Sequence, residues 1–190
     1  MSKRRLSPSE LAEVRLVFGD GLDTGRVWVS EGGYFPNFIA DIGALLQGRK
    51  RTWDNAVTLG DTSHFPRALR TAPEQLAQDL TDMAWLVHEL THQWQFQTVG
   101  WRYLAEALSV QLSQGPAGYD YKGKHGSPRE ALRAARSANR HLADFNREQQ
   151  GDLARDYYLA RKRGEDAADW EPFLDEVRKR GRPADAGRGD

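Results

Sequence analysis

Cysteine is absent from all 190 residues. That excludes disulfides and thiolate metal sites, so any bound metal must take its ligands from His, Asp or Glu. Net charge is absent as well, because 27 Lys and Arg balance 27 Asp and Glu. Bulk electrostatics therefore argue against a nucleic-acid partner or an anionic membrane surface. No apolar run approaches the ~18 residues of a membrane span. The basic start, Met1 to Pro8, has no apolar core of a secretory signal, which predicts synthesis as a cytoplasmic protein. A length of 190 residues fits one domain with a real core. That domain is expected over residues 1–177, with a disordered charged tail at 178–190.

Histidine is scarce too, with five in the chain, and two of them fall in His88-Glu89-Leu90-Thr91-His92. This is H-E-x-x-H. On a helix, residues four apart share a face, so both imidazoles can reach one metal ion. Glu89 then lies beside the metal, placed to take a proton from a water. The pattern is the metal-and-base core of zinc metallopeptidases. Its context is helical: Pro73 to Val99 contains no internal Pro or Gly, and Ala77, Leu80, Met83, Ala84, Val87, Leu90 and Thr91 recur at helical spacing.

The flanking sequence predicts an α+β domain, mostly helical, with a small N-terminal sheet packed on the motif helix. Ser7, Pro8 and Glu10 read as a capping box opening a helix to Phe18. Arg26 to Ser30 reads as a strand, and Ala56 to Phe65 as one half-buried strand with a glycine bulge. After the motif, Trp101 to Leu112 and a segment from Pro128 read as helices, separated by a glycine-rich loop at 118–126. A long helix is expected from Leu142 to Arg163, capped by Gly164, with a short one over Trp170 to Lys179.

A catalytic zinc needs a third protein ligand and an open position. One zincin class would place Gly at 95 and His at 98; Gln95 and Thr98 exclude it. Another takes a glutamate from a later helix. Glu148 and Asp152 lie one helical turn apart, so Glu148 can bind metal while Asp152 accepts the free N–H of a ligand histidine. Glu106 and His141 remain alternative ligands. His64 and His125 read as packed and solvated residues.

The order and wording of several motifs resemble bacterial Vgr-related proteins, found near type VI secretion genes, and a wider group of predicted zincin domains. The resembling stretches are Leu6-Ser7-Pro8-Ser9-Glu10, Val17-Phe18-Gly19-Asp20, Ala56 to Phe65, His88 to Gln95, Tyr119-Asp120-Tyr121, and Phe145 to Gln150 ending in Asp156-Tyr157-Tyr158. They span most of residues 6–160. The family's Glu-Gln-Gln block falls at Glu148-Gln149-Gln150, and the resemblance thereby favours Glu148 as third ligand. Ser63 stands where an apolar strand residue is expected. Gly151 costs a helix roughly 1 kcal/mol relative to Ala, and is explained if another helix approaches closely.

The mechanism expected from these residues is peptide hydrolysis at Zn²⁺ held by His88, His92 and Glu148, with Glu89 as general base. Tyr157, Tyr158 and Tyr121 are candidate donors to the developing oxyanion. The strand ending at Phe65 is a candidate edge for an extended peptide substrate. The resemblance implies type VI secretion components as partners and export by that contractile machine. Three other readings stay open: a non-catalytic zinc-binding adaptor of the machine, a secreted antibacterial peptidase toxin, and a helical interaction domain without metal.

Overall fold

A computed structural model describes residues 2–33, 56–101, 121–123 and 125–180. Four strands and six α-helices follow one another: β1 (Ser2–Arg4), α1 (Pro8–Phe18), β2 (Trp28–Glu31), β3 (Val57–Leu59), β4 (Thr62–Phe65), α2 (Pro73–Leu76), α3 (Thr81–Val99), α4 (Pro128–Ser137), α5 (Arg147–Lys162) and α6 (Glu171–Arg180). This is the expected α+β class, mostly helical with a small sheet. The sheet order is β1-β2-β4-β3. Its central pair, β2 and β4, is parallel, and the two outer pairs are antiparallel. Among the described residues, no helix is long and apolar enough to cross a membrane.

Local chemistry sets the helix starts. The Ser7 hydroxyl accepts from the Glu10 N–H, and the Glu10 carboxylate accepts from the Ser7 N–H. Together they satisfy two of the orphan donors of α1. Glu10 is also fully buried, where Arg4 and Thr71 hydrogen-bond it. Arg4 reaches Glu31 as well, so one guanidinium ties β1, α1 and β2 together.

Three predicted elements are redrawn. Ala56 to Phe65 is a hairpin, not a bulged strand: Gly60, at φ +61°, supplies the left-handed turn between β3 and β4. The motif helix does not begin at Pro73. The chain makes one turn as α2, then restarts at Thr81, because Asp79 accepts hydrogen bonds from the Thr81 N–H and hydroxyl and so ends the first turn. The long helix expected from Leu142 is a 3₁₀ turn at Leu142–Asp144 followed by α5. Asn146 interrupts it by accepting from the Gln149 N–H as N-cap. The last helix runs to Arg180, three residues into the predicted tail. Residues 181–190, Glu106, and the predicted helix beyond Trp101 lie outside the described residues.

The core forms where α3 packs most extensively against α5, with the sheet on another side of α3 and α1 and α6 closing the base. Met83, Leu86, Val87, Leu90 and Trp94 of α3 are buried, as are Val29 and Phe65 of the sheet. Leu153 and Ala154 of α5 and Phe173 and Leu174 of α6 complete it. This packing brings the first turn of α5 against the middle of α3, where the H-E-x-x-H motif lies.

Candidate metal centre

His88 and His92, one turn apart on α3, present their Nε2 atoms to the Glu148 carboxylate. His88 Nε2 lies 3.5 Å from Glu148 Oε2, and His92 Nε2 lies 3.6 Å from Glu148 Oε1. One ligand atom from each of the three residues lies within 4.8 Å of the others. Tetrahedral N and O donors of zinc stand about 3.3 Å apart when each bond is near 2.05 Å. The two histidine-to-carboxylate separations are close to that spacing. Glu148 occupies the first turn of α5, where the helix dipole favours its ionised form.

The far side of each imidazole is fixed differently. His88 Nδ1 lies 3.1 Å from Asp152 Oδ1. A carboxylate only accepts, so Nδ1 carries the proton and Nε2 is turned to Glu148. His92 Nδ1 lies 2.9 Å from Gln95 Oε1. The Gln95 amide N–H groups donate to the Arg147 carbonyl and to Gln150 Oε1, which fixes its oxygen toward His92 and makes His92 Nδ1 the donor. Both rings therefore keep a proton on Nδ1, which leaves Nε2 as the nitrogen a metal would take in place of its proton. Gln150 is anchored in turn by donating to the carbonyls of Leu142 and Phe145. The three residues of the Glu-Gln-Gln block act separately. Glu148 faces the histidines, Gln149 closes the capping box of α5, and Gln150 holds Gln95.

The same groups shift one another's proton affinity. Burial opposes charge on His88, but Asp152 and Glu148 outweigh it and lift its pKa to about 10. The same contest, with Glu148 as the main counterweight to burial, raises His92. Burial would raise Glu148, yet the two histidines hold it well below the usual carboxylate range. Two imidazoles and a carboxylate converging in a buried space are a donor set that could hold a divalent cation.

Gly151 explains its own presence. A β-carbon there would lie 2.8 Å from His88 Cε1 and 2.9 Å from Nδ1. The imidazole rests on the backbone of α5, and only glycine leaves room for it.

Glu89 is buried beside the histidines, and its Oε2 accepts from the Thr58 hydroxyl at 2.7 Å. Thr58 belongs to β3, an edge of the sheet among the described residues. Ser63 is fully buried and bonded to Thr58 and Gln93. A polar residue sits at that strand position because it meets other polar groups.

Two expected site residues are not brought there. Tyr157 donates from its hydroxyl to Glu171 and accepts from Arg178. Tyr158 is fully buried, where desolvation and the Glu13 carboxylate of α1 raise its pKa. At 100° per residue, Tyr157 lies about half a turn around α5 from Glu148, and both phenols belong to the core. Tyr121 lies nearer, but its hydroxyl donates to Asp156. Asp156 is held by Arg155, which also donates to Asp152 at 2.5 Å. His141 is exposed, 3.5 Å from Glu176. His64 lies on β4 and His125 in the turn before α4. Gln95, Gln93, Thr58 and Arg155 escape the sequence reading. Gln95 follows His92 by three residues on one helix face, a signal within reach of spacing, whereas Thr58 needs the tertiary fold.

The chain is 29% identical over 158 residues to the type VI secretion system spike protein VgrG2b of Pseudomonas aeruginosa. The match covers 82% of this chain and 13% of that protein, so the chain spans a small part of its relative's length. No family model matches the chain, and no solved structure does.

Proposed function

We propose that this chain is a zinc-dependent peptide-bond hydrolase that works with a type VI secretion apparatus. The observation that carries the catalytic part is the convergence of His88 Nε2, His92 Nε2 and the Glu148 carboxylate, with Glu89 buried alongside. Bound by those three residues, zinc would supply Lewis acidity to acidify a water and polarise a carbonyl. Asp152 and Gln95 hold the two imidazoles in register. Glu89 accepts the proton of the attacking water and returns it to the leaving amine. An extended substrate would lie along β3, whose residues flank the base, and its backbone would pair with the strand edge.

The secretion part rests on the likeness to the VgrG2b spike protein over most of this chain. It makes secretion components the expected partners, export by that machine the expected route, and a peptide or protein the expected substrate. The same likeness to a spike protein favours one second reading, a zinc-stabilised adaptor without turnover.

Purified zinc-loaded protein and Glu89→Gln, assayed on a peptide library, separate the two. Cleavage by the first and none by the second, at equal zinc content, supports the hydrolase. No cleavage by either, with secretion intact in Glu89→Gln and lost in His88→Ala, supports the adaptor.

A further inference from the structure

A row of buried hydrogen bonds runs from the sheet to Glu89. Gln93 Nε2 donates to the Trp28 carbonyl at 3.0 Å and to Ser63 Oγ at 2.7 Å. Ser63 Oγ lies 2.8 Å from Thr58 Oγ1, which donates to Glu89 Oε2 at 2.7 Å. Gln93 and Ser63 are 0% exposed, and Thr58 and Glu89 are 5% and 6% exposed. Bulk water therefore takes little part in the row.

Its direction is fixed at both ends. The Trp28 carbonyl can only accept, so it holds the Gln93 amide with Nε2 inward. An amide nitrogen can only donate, so Ser63 must accept from Gln93 and pass its own proton to Thr58. Thr58 then accepts from Ser63 and turns its single proton to Glu89, where the carboxylate Oε2 at 2.7 Å is favoured over the backbone carbonyl at 3.2 Å. Hydrogen bonds aligned head to tail in a dry interior reinforce one another.

We infer that Thr58, Ser63 and Gln93 are positioning residues for Glu89: a one-way hydrogen-bond chain that fixes its carboxylate through Oε2 and leaves Oε1 to carry the proton in transit. The inference rests on the hydrolase reading for its catalytic meaning, while the chain itself is testable without turnover. The proton taken from the attacking water goes to Oε1, because Oε2 already accepts from Thr58. It leaves from the same oxygen to the amine, and the chain keeps its polarity throughout. The arrangement also makes the edge strand β3, the expected bed of the substrate, a direct support of the base.

Thr58→Val removes the hydroxyl at nearly constant shape and keeps strand propensity, while Thr58→Ser keeps the donor. Crystal structures of the zinc-loaded full chain in wild-type and both variant forms report the Glu89 orientation directly. The expected result is one carboxylate orientation in wild type and Thr58→Ser, and a rotated or multiple orientation in Thr58→Val at unchanged zinc content. On a cleaved peptide, kcat of Thr58→Val should fall about 10- to 100-fold with KM unchanged, as misplacement of a reacting group does, and Thr58→Ser should restore it. A Glu89 carboxylate unmoved in Thr58→Val overturns the inference. A wild-type protein that binds zinc but cleaves nothing defeats the hydrolase reading, and the carboxylate orientation still decides the chain.

Discussion

Gly151 and His88 are in contact across the α3–α5 interface, with space for a hydrogen and none for a methyl group: an added β-carbon would stand 2.8 Å from His88 Cε1. Helix propensity alone favours Gly151→Ala by about 1 kcal/mol. The clash falls on a ring held by Asp152 on one side and turned to Glu148 on the other, so the imidazole must leave its place. Gly151→Ala is expected to fold, with a melting temperature at or near wild type, and to bind zinc at least about 10-fold more weakly, as lost support of a ligand does. Competition with a chelating dye checks this. Wild-type affinity in the variant would show that the ring does not depend on this contact.

The two motif histidines have unlike supports, a carboxylate for His88 and an amide for His92. Asp152→Asn keeps an acceptor oxygen but removes the charge. Gln95→Ala removes the acceptor and leaves the Gln150 oxygen without that donor. Each is expected to weaken zinc about 10- to 100-fold, with Gln95→Ala also lowering thermal stability by about 1–3 kcal/mol through the buried amide left unpaired. Metal titration and thermal melts of both variants separate the effects.

Glu10 makes part of the stability pH-dependent. Burial pushes its pKa up, but Arg4, Thr71 and the Ser7 N–H outweigh burial and leave it below its ordinary value of 4.5. A carboxyl depressed in the folded state contributes stability that is full above the unfolded pKa and is lost as pH falls through the folded one. Glu10→Gln should therefore cost about 2 kcal/mol at pH 7, the range of lost charge-assisted hydrogen bonds, while Arg4 keeps its bonds to Glu31. The gap to wild type should narrow as pH falls below about 4.5. Denaturant melts at pH 7 and pH 3 read this; an equal gap at both would contradict it.

Gly21 is the tightest approach in the described fold. A β-carbon there would meet the Val177 carbonyl oxygen of α6 at 2.1 Å. Backbone cannot swing aside as a side chain can, so Gly21→Ala should destabilise by about 2–4 kcal/mol, the range of overpacked sites. A thermal melt checks it, and unaltered stability would show that α6 can shift away from α1.

Much of the centre is legible in sequence because its chemistry is local. His88, Glu89 and His92 share one helix, and Glu148 and Asp152 share another, so residue type and spacing place each set on one face. Their meeting across α3 and α5 follows from a family resemblance, not from any periodicity. Tyr157 and Tyr158 follow Asp152 closely in sequence, yet both are buried in the core, with the Tyr157 hydroxyl donating to Glu171. The hairpin at Gly60 reads as a bulge because a glycine in an alternating run serves either purpose. Thr58 is illegible, since nothing local marks a hydroxyl that will meet a base from a distant strand, and Gln93, one turn after Glu89 on α3, is tied to it only through Ser63 and Thr58. The restart of α3 at Thr81 turns on the Asp79 carboxylate, which accepts from the Thr81 N–H and hydroxyl and which the unbroken apolar periodicity conceals.

The most direct measurement is elemental analysis of the purified chain after zinc is supplied and excess removed, beside His88→Ala and Glu148→Ala. A three-ligand site requires about one zinc per chain in wild type and almost none in either variant. Wild-type protein without zinc, or zinc fully retained in Glu148→Ala, would contradict it.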